Sequence, residues 1–422
     1  MILEQSRKNR DTLINFATHI YDHAETGFKE KMTAEYIDEQ FRKMGYETIT
    51  GVEIPYVKAT YDSKKPGPAI AIIGEMDSII INDKPVHACG HNIECTNLLG
   101  SALLLKQMIE QYDITGKIHF MAVPAEEHIE MQHRLDLMKK GVIRYPSGKP
   151  ELMYRGLFDD VDICIMAHCM PQENEITLST SSNGNIIKKV TFTGKAAHAG
   201  NAPEEGVNAL YAANLSLNAI NALRETFTEK QYARVHPIIT KGGDAVNVIP
   251  SEVIIESYIR AATLDDISQI NDKVNRAFVG CAHAMGTKVE INDVPGYLPM
   301  YTSPLMNDYV LPVAKSVFNK EIETFPHLGL CSDMGDMSSV MPILHPYIGG
   351  VSGTLHGNDF RMTDPDIALV KGSAFLFSVS VSFLVNNAAV AYNIINEYKP
   401  LFNNFREYFT KFDSMYNTII SE

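Results

Sequence analysis

The sequence is poor in cysteine and has no long apolar run. Its six cysteines lack the spacing of a disulfide framework; they are Cys89, Cys95, Cys164, Cys169, Cys281 and Cys331. Free thiols or metal thiolates in a reducing compartment are therefore expected. No apolar run reaches the roughly 18 residues that a membrane span needs. The first residues, MILEQSRKNRD, carry charges where a signal peptide is apolar, so the sequence predicts a soluble cytoplasmic protein without a membrane partner.

Positive charge is also scarce. The chain has 37 Lys and Arg against 51 Asp and Glu, which gives a formal net charge of −14. No stretch rich in Lys and Arg with interleaved aromatic residues occurs, so the electrostatic pattern of a nucleic-acid-binding protein is missing. We exclude nucleic acid as a partner on this ground. Internal repeats and low-complexity segments are absent as well.

The length of 422 residues exceeds what one hydrophobic core usually supports, so two domains are expected. In the first part of the chain, nearly unbroken apolar runs at 68–74, 117–123 and 161–167 alternate with segments of helical periodicity. Runs of this kind are typical of strands that are buried on both faces. The alternation predicts an α/β sheet with helices on both faces.

A second pattern interrupts the first. Residues 185–297 follow the order strand, helix, two strands, helix, strand, which is compatible with a ferredoxin-like α+β unit. The alternation of the first part then resumes near Pro299. The sequence therefore predicts a larger domain of residues 1–184 and 298–422, with residues 185–297 inserted into it as a smaller domain.

Polar residues of the metal-ligand type follow the three apolar runs. The segments that follow them are Glu75-Met76-Asp77, Pro124-Ala125-Glu126-Glu127 and His168, and the segment His87-Ala88-Cys89-Gly90-His91-Asn92 lies between the first two runs. Ligands of open α/β sheets bind outside the carboxyl ends of the strands. These residues are therefore the first candidates for a functional site.

Cys89 and His91 are two residues apart, so in an extended segment they would project to the same side and could bind one metal centre. This pair alone is weak evidence, because most such pairs are structural or incidental. Glu127 and His168 strengthen it, since together the four residues form a mixed Cys, His and Glu set of the kind that binds zinc or manganese.

The neighbouring pair Glu126-Glu127 indicates two carboxylates with different roles. Adjacent residues at a strand end point in different directions, so one carboxylate can ligate a metal while the other faces the substrate. A metal lowers the pKa of its bound water towards about 7. A carboxylate within hydrogen-bond reach can then take the proton from this nucleophilic water and deliver it to the leaving nitrogen.

Eight motifs in order carry a resemblance to a known family; they are GEMDS, HACGHN, VPAEEH, MAHCMP, TGKAAHAGNAPEEGVNAL, GGDAVNVIP, SDMGDMSSVMP and GTLHGNDF. With these motifs the chain resembles the aminoacylase and carboxypeptidase family of dinuclear metallopeptidases, metallopeptidase family twenty. More narrowly, it is similar to the amidohydrolase branch that contains N-acyl-amino-acid, hippurate and indole-acetyl-amino-acid hydrolases. The resemblance extends from about residue 10 to about residue 390.

The resemblance implies an α/β, zinc-peptidase-like catalytic domain with a mixed sheet flanked by helices. This domain would hold two divalent metal ions per subunit, Zn²⁺ or Mn²⁺. The implied metal ligands are Cys89, His91, Glu127, His168 and His356. Glu126 matches the general base and acid, and Asp77 matches the acidic residue that orients a ligand. The thiolate of Cys89 is expected to lie near or between the two metals.

The same resemblance implies that the inserted domain is a lid and a dimerisation domain. His198 matches a histidine that reaches the active site of the partner subunit and stabilises the oxyanion of the tetrahedral intermediate. From the sequence alone, a histidine that caps the following helix would be the preferred interpretation. Asn247 and Arg260 match lid residues that hold the carboxylate of a small-molecule substrate, a task that suits the two-pronged guanidinium. A homodimer is expected, with a higher oligomer as an open alternative.

Two features depart from the commoner pattern of this branch. Asn92, Ile93 and Glu94 stand where an aspartate and a further histidine are usual. This feature and SDMGDMSSVMP look more like the aminobenzoyl-glutamate hydrolase and β-alanyl-dipeptidase subgroup. The stretch 128–158 is also longer than usual, and a loop of that length beside a site is often part of the substrate rim.

The predicted function is metal-dependent hydrolysis of an amide bond in N-acyl amino acids or dipeptide-like conjugates, with release of a free amino acid. One alternative is a non-catalytic or regulatory subunit of a heteromeric amidohydrolase. Another is a thiol enzyme that uses Cys89 and His91. The thiol enzyme is the poorer interpretation, because it gives no role to the carboxylates and the histidine at the neighbouring strand ends.

Overall fold

The computed structural model describes residues 1–318 and 320–422. The α-helices are α1 Ile2–Lys8, α2 Arg10–Asp22, α3 Lys31–Lys43, α4 His91–Met108, α5 Met131–Lys139, α6 Gly148–Tyr154, α7 Ala209–Leu223, α8 Leu264–Met285, α9 Pro304–Phe318, α10 Met334–Ser338, α11 Gly372–Glu397 and α12 Phe405–Asp413. A π-helical segment, Asp366–Lys371, leads directly into α11.

Most of the β-strands are short. They are β1 Thr48–Thr50, β2 Val57–Asp62, β3 Ala69–Glu75, β4 Ile79–Ile81, β5 Lys84–Val86, β6 Lys117–Val123, β7 Ile163–Ile165, β8 His168–Cys169, β9 Ile176–Ser179, β10 Ser181–Ser182, β11 Gly184–Thr193, β12 Arg234–Lys241, β13 Glu252–Ala261, β14 Lys288–Pro295, β15 Met300–Tyr301, β16 Glu323–Phe325, β17 Ile343–Leu344, β18 Tyr347–Ile348, β19 Val351–Ser352, β20 Arg361–Met362 and β21 Asn417–Ser421.

The larger of two compact units comprises residues 1–180, 301–327 and 336–401. Its main sheet has the strand order β1-β2-β6-β3-β7-β17. Strand β3 runs parallel to both β6 and β7, so the carboxyl ends of these three strands lie at one edge of the sheet. All seven residues of β3 are buried, as the apolar run at 68–74 predicts for a strand that is covered on both faces.

Helices α4 and α11 pack in the core of the larger unit. Both carry buried residues around most of their circumference, and α11 is interrupted by left-handed backbone at 386–388. The helical stretch 366–397 has an 18-residue window with a mean hydropathy of 1.8, which is apolar enough for a membrane span. Since 83% of that window is buried inside the protein, core packing accounts for its composition. A cytoplasmic location stays a prediction from the sequence.

The smaller unit comprises residues 181–300, 328–335 and 402–422. Its five-stranded antiparallel sheet has the order β12-β13-β11-β14-β21, and α7 and α8 pack against it. Buried residues recur at every second position over most of β13, as expected when one face of a sheet meets helices and the other meets water. Apolar residues of α7, α8 and the sheet form one core, separate from that of the larger unit.

The predicted fold class is confirmed: a mixed α/β sheet with helices and an inserted α+β unit. The C-terminal boundary needs a correction. The sequence analysis assigned residues 402–422 to the larger domain, yet β21 pairs with β14 in the sheet of the smaller unit. Periodicity in a five-residue strand cannot reveal which sheet the strand will join, because only the backbone hydrogen bonds of the folded chain decide it.

Candidate metal centre

The ends of β3, β6 and β7 carry the polar residues that the sequence singles out. Asp77 follows β3, Glu126 and Glu127 follow β6, and His168 opens β8 just beyond β7. The parallel arrangement of these three strands brings the four side chains to the same edge of the sheet. Asp77 is fully buried, and Glu126 is only 7% exposed.

A left-handed glycine shapes the turn that contains Cys89 and His91. Gly90 has φ +90°, and α4 begins at the next residue. A β-carbon at Gly90 would collide with the sulfur of Cys169, so only glycine fits here. The expectation of an extended Cys89–His91 segment was wrong, because the chain turns at Gly90 and His91 opens helix α4.

The donor atoms fall into two groups of three that share Cys89. Atoms of Cys89, His91 and His168 lie within 4.8 Å of one another, and so do atoms of Cys89, Glu127 and His356. The sulfur of Cys89 lies 3.3 Å from Nε2 of His168 and 3.4 Å from Nε2 of His356. Nε2 of His356 in turn lies 3.0 Å from Oε1 of Glu127. The structure thus brings the five sequence-predicted ligands together around one sulfur.

Asp77 connects the two groups of donors. Its Oδ1 lies 3.2 Å from Nδ1 of His91, whose ring also contacts the Asp77 carbonyl oxygen at 2.8 Å. Its Oδ2 accepts the backbone N–H of Glu127 at 2.9 Å. In His168, Nδ1 lies 2.6 Å from the carbonyl oxygen of Cys169. These contacts leave Nε2 of both rings facing the site, which is how a histidine ligand is usually oriented.

A further buried cluster adjoins the first group of donors. Oε2 of Glu75 lies 3.1 Å from Nε2 of His91, and the other oxygen of Glu75 accepts a hydrogen bond from the buried Lys149. Atoms of Glu75, His91 and Glu126 also lie within 4.8 Å of one another. Oε1 of Glu94 lies 3.7 Å from Nε2 of His168.

No role for Glu75 or Lys149 was predicted from the sequence. Glu75 stands inside the motif GEMDS, but Lys149 is 74 residues further along the chain. No local pattern marks a lysine that will be buried beside a distant carboxylate. Only a pairing of buried charges in the folded chain could have identified it.

The electrostatics of the site disfavour an activated thiol at Cys89. Burial, followed by the Glu127 carboxylate, raises the pKa of the Cys89 thiol well above its usual value. An activated thiol needs the opposite shift, which argues against the thiol-enzyme alternative. Burial, followed by His91, lowers the pKa of His168 to about 4. Although burial opposes it, His356 lowers the pKa of Glu127 to about 2.

His198 lies in the smaller unit, where its ring is exposed. Its Nδ1 accepts the backbone N–H groups of Gly200 at 3.2 Å and of Asn201 at 3.0 Å. In a neutral ring the proton therefore resides on Nε2, which can donate. The helix-capping interpretation of His198 was wrong, because the side chain of Asn208 accepts the first N–H groups of α7.

The two proposed carboxylate-binding residues also lie in the smaller unit. The carbonyl of Asn247 accepts the N–H of Ala199 at 3.0 Å, which places its exposed side chain on the segment that pairs with the His198 segment. Arg260 is half-buried on β13, and its guanidinium lies 5.4 Å from the centre of the Tyr258 ring.

Comparison with known proteins agrees with this architecture. Residues 180–279 match the peptidase dimerisation domain of the M20 family. Over 299 residues the chain is 31% identical to one of the subunits of p-aminobenzoyl-glutamate hydrolase from Escherichia coli K12, covering 67% of this chain and 57% of that protein. It is 30% identical to the mouse Xaa-Arg dipeptidase over 267 residues, covering 62% and 57%. The match thus spans little more than half the length of these two relatives.

A solved structure supports the fold over a wider range. The dinuclear metal-binding peptidase of the M20 family from Bacillus subtilis superimposes with a TM-score of 0.69 at 19% identity, covering 90% of this chain and 99% of that one. At this identity the likeness establishes the fold alone.

Proposed function

The chain belongs to the M20 family of peptidases, and we propose that it hydrolyses an amide bond in N-acyl amino acids or dipeptide-like conjugates, releasing a free amino acid. The main support is the position of Cys89, whose sulfur belongs to both donor groups, with Glu126 beside them. The relatives named for the hydrolysis of an aminobenzoyl-glutamate and of Xaa-Arg dipeptides act on amide bonds of this kind.

The donor set fits two divalent cations. Cys89, His91 and His168 would hold one of them, and Cys89, Glu127 and His356 would hold the other. Thiolate, imidazole and carboxylate ligands suit zinc or manganese. Bound there, the cations supply Lewis acidity, which polarises a carbonyl group and lowers the pKa of water.

Glu126 lies outside the two donor groups that contain Cys89, and we assign its carboxylate to proton transfer. In the proposed reaction it takes a proton from the attacking water and hands it to the amide nitrogen as the C–N bond breaks. Its 7% exposure keeps bulk water away from the carboxylate, which favours direct transfer between substrate and side chain.

In the proposed reaction, three residues of the smaller unit would take part. His198 of the partner subunit would donate its Nε2–H to the oxyanion, a role that its Nδ1 contacts support. Asn247 and Arg260 would bind the free carboxylate of the substrate. The match to a dimerisation domain supports a homodimer.

The test is hydrolysis of a panel of N-acyl amino acids and dipeptides by metal-free protein that has been reloaded with Zn²⁺ or Mn²⁺. Substrates with a free carboxylate should be cleaved, whereas their carboxamides should be poor substrates. In parallel, Glu126→Gln should keep its metal content and lose turnover, because the amide keeps the shape of the side chain but cannot shuttle a proton.

Two outcomes would count against the proposal. Substantial turnover by Glu126→Gln would refute the assigned base. Two bound metals per subunit without cleavage of any member of the panel would favour a non-catalytic subunit of a heteromeric assembly.

A further inference from the structure

The chain turns sharply where β6 ends, at the residues that precede and include the proposed base. Ala125 has φ +56°, in the left-handed region that a residue with a β-carbon disfavours. Such a conformation is unfavourable for a residue with a β-carbon, and it persists only where the surroundings hold it in place. The turn that directs Glu126 and Glu127 into the site therefore needs support from outside itself.

Arg134 supplies that support from helix α5. Its Nη1 donates to the carbonyl oxygens of Ala125, at 3.1 Å, and of Pro146, and its Nη2 donates to that of Glu127. Its Nε donates to the carbonyl oxygen of Ile129 at 3.0 Å. One guanidinium thus holds the carbonyl groups on either side of Glu126. The side chain is only 1% exposed, so water does not compete for these bonds.

The surroundings are shaped to receive this guanidinium. Its carbon lies 5.5 Å from the centre of the Phe28 ring, within range of a cation–π contact. Gly27 lies beside it, and a β-carbon there would collide with the guanidinium and crowd Ala125. The arginine therefore occupies a site that excludes even a methyl group at position 27.

Two buried carboxyl groups hold the N–H groups of the same turn. Oε1 of Glu30 accepts the N–H of Ala125 at 2.7 Å, and Oδ2 of Asp77 accepts the N–H of Glu127 at 2.9 Å. With Arg134 on the carbonyl groups, both backbone polar groups of Ala125 and of Glu127 are fixed by buried side chains. The residue between them, Glu126, has its direction set by these four bonds.

We propose that Arg134 is a positioning residue, and that the segment 128–146 is an internal clamp which holds Glu126 and Glu127 in their working geometry. This inference rests on the proposed function, since it assigns those two residues to catalysis and metal binding. It also gives a role to part of the long stretch 128–158, which the sequence analysis expected at the substrate rim. The clamp acts on the turn through hydrogen bonds from Arg134 to the backbone carbonyl groups of Ala125 and Glu127.

The first experiment compares kcat and KM for Arg134→Met and Arg134→Lys. A displacement of about 1 Å at a reacting group costs on the order of 100-fold in rate, so Arg134→Met should lower kcat by about that factor while KM changes less than about threefold. The kcat of Arg134→Lys should fall by a smaller factor, because one ammonium group can donate to some of the four carbonyl groups but not to all of them. Arg224→Met is the matched control: Arg224 also donates to a backbone carbonyl, that of Val235, but it lies in the smaller unit, outside the clamp.

A second variant tests the same geometry with the arginine in place. Gly27→Ala should push the guanidinium away from the carbonyl groups, so its kcat should fall in the same direction as that of Arg134→Met. Amide hydrogen exchange over residues 125–129 should rise in both variants and stay unchanged in Arg224→Met. The free energy of unfolding, measured for each variant, gives the fraction of folded protein by which kcat is corrected.

The clamp is refuted if the corrected kcat of Arg134→Met stays within about threefold of the parent value. Unchanged exchange at residues 125–129 in that variant refutes it as well. The exchange measurement needs no substrate. If the parent protein cleaves nothing on the panel, the proposed function fails, and the exchange data still decide whether Arg134 holds the turn.

Discussion

Lys149 donates a hydrogen bond to the carboxylate of Glu75, and neither side chain is more than 1% exposed. Although burial opposes it, Lys149 and then His91 lower the pKa of Glu75 to about 2. The carboxylate of Glu75 therefore stays ionised, and its Oε2 lies 3.1 Å from Nε2 of His91. A buried ion pair of this kind is costly to break, because the remaining partner is left charged and without compensation.

Lys149→Met should destabilise the metal-free protein by about 3–5 kcal/mol, the usual cost of removing one partner of a buried pair. Urea unfolding of the two proteins measures the difference. Lys43→Met is the control, because Lys43 pairs with Glu39 on the surface of α3 with both side chains 60% exposed. That pair should contribute no more than about 0.5 kcal/mol. Equal losses in the two variants would contradict the buried-pair argument.

The number of metal ions bound per subunit should show whether Cys89 contributes to both donor groups. Since its sulfur belongs to both donor groups, Cys89→Ala should lose both cations, whereas His168→Ala and His356→Ala should each lose mainly one. Mass-spectrometric metal analysis after dialysis against Mn²⁺ or Zn²⁺ measures the content. His236→Ala, on the exposed strand β12 of the smaller unit, is the control. Two retained metals in both histidine variants would refute the ligand assignment.

Protonation of His119 should lower the free energy of unfolding as the pH falls below about 6.5. Burial, followed by Lys58, lowers its pKa from 6.5 to about 4 in the folded chain. Between these two values the unfolded chain binds a proton that the folded chain does not. Folding stability is therefore complete above about pH 6.5 and is lost as the pH falls towards 4.

His119→Gln tests this dependence. Between pH 7 and pH 5 the free energy of unfolding should fall by about 1–2 kcal/mol less in His119→Gln than in the parent protein. The reason is that one pH unit corresponds to about 1.4 kcal/mol per proton. Urea titrations at the two pH values measure it, with the exposed His236→Gln as the control. Parallel losses in parent and His119→Gln would show that His119 does not carry the effect.

Loss of His198 should act on the transition state more than on binding. Charge develops on the carbonyl oxygen only during attack, so His198→Ala should lower kcat by roughly 100- to 1,000-fold with a smaller change in KM. A mixed dimer of Glu126→Gln and His198→Ala chains would hold both defects in one site and neither in the other. About half of the sites in the mixed dimer should work. If the mixed dimer is as inactive as the two single variants, His198 serves its own subunit.

Arg260→Ala should weaken the hydrolysis of substrates with a free carboxylate and matter less for their carboxamides, because the guanidinium is proposed to bind the charged form. Arg234→Ala is the control, since Arg234 lies directly opposite Arg260 on the neighbouring strand. The ratio of kcat/KM for the paired substrates measures the effect. Equal losses on both substrates would assign Arg260 a structural role.

The sequence by itself determined the layered α/β fold and the identity of the candidate ligands. Apolar runs such as 68–74 must be buried on both faces, and their ends meet at one edge of a parallel sheet. Polar residues after those runs, such as Glu127 and His168, could therefore be grouped before any coordinates were known. The inserted unit was visible for a similar reason, because its pattern of strands and helices differs from that on either side.

The tertiary structure alone decided the relationships that join distant parts of the chain. Periodicity reports how a residue lies within its own helix or strand, but it carries no information on what that element will contact. The burial of Lys149 against Glu75, the contact of Arg134 with the turn at Ala125, and the pairing of β21 with β14 all depend on such contacts. The turn at Gly90 is a different case: its left-handed backbone favours glycine, and only the folded chain places the sulfur of Cys169 where a β-carbon would lie.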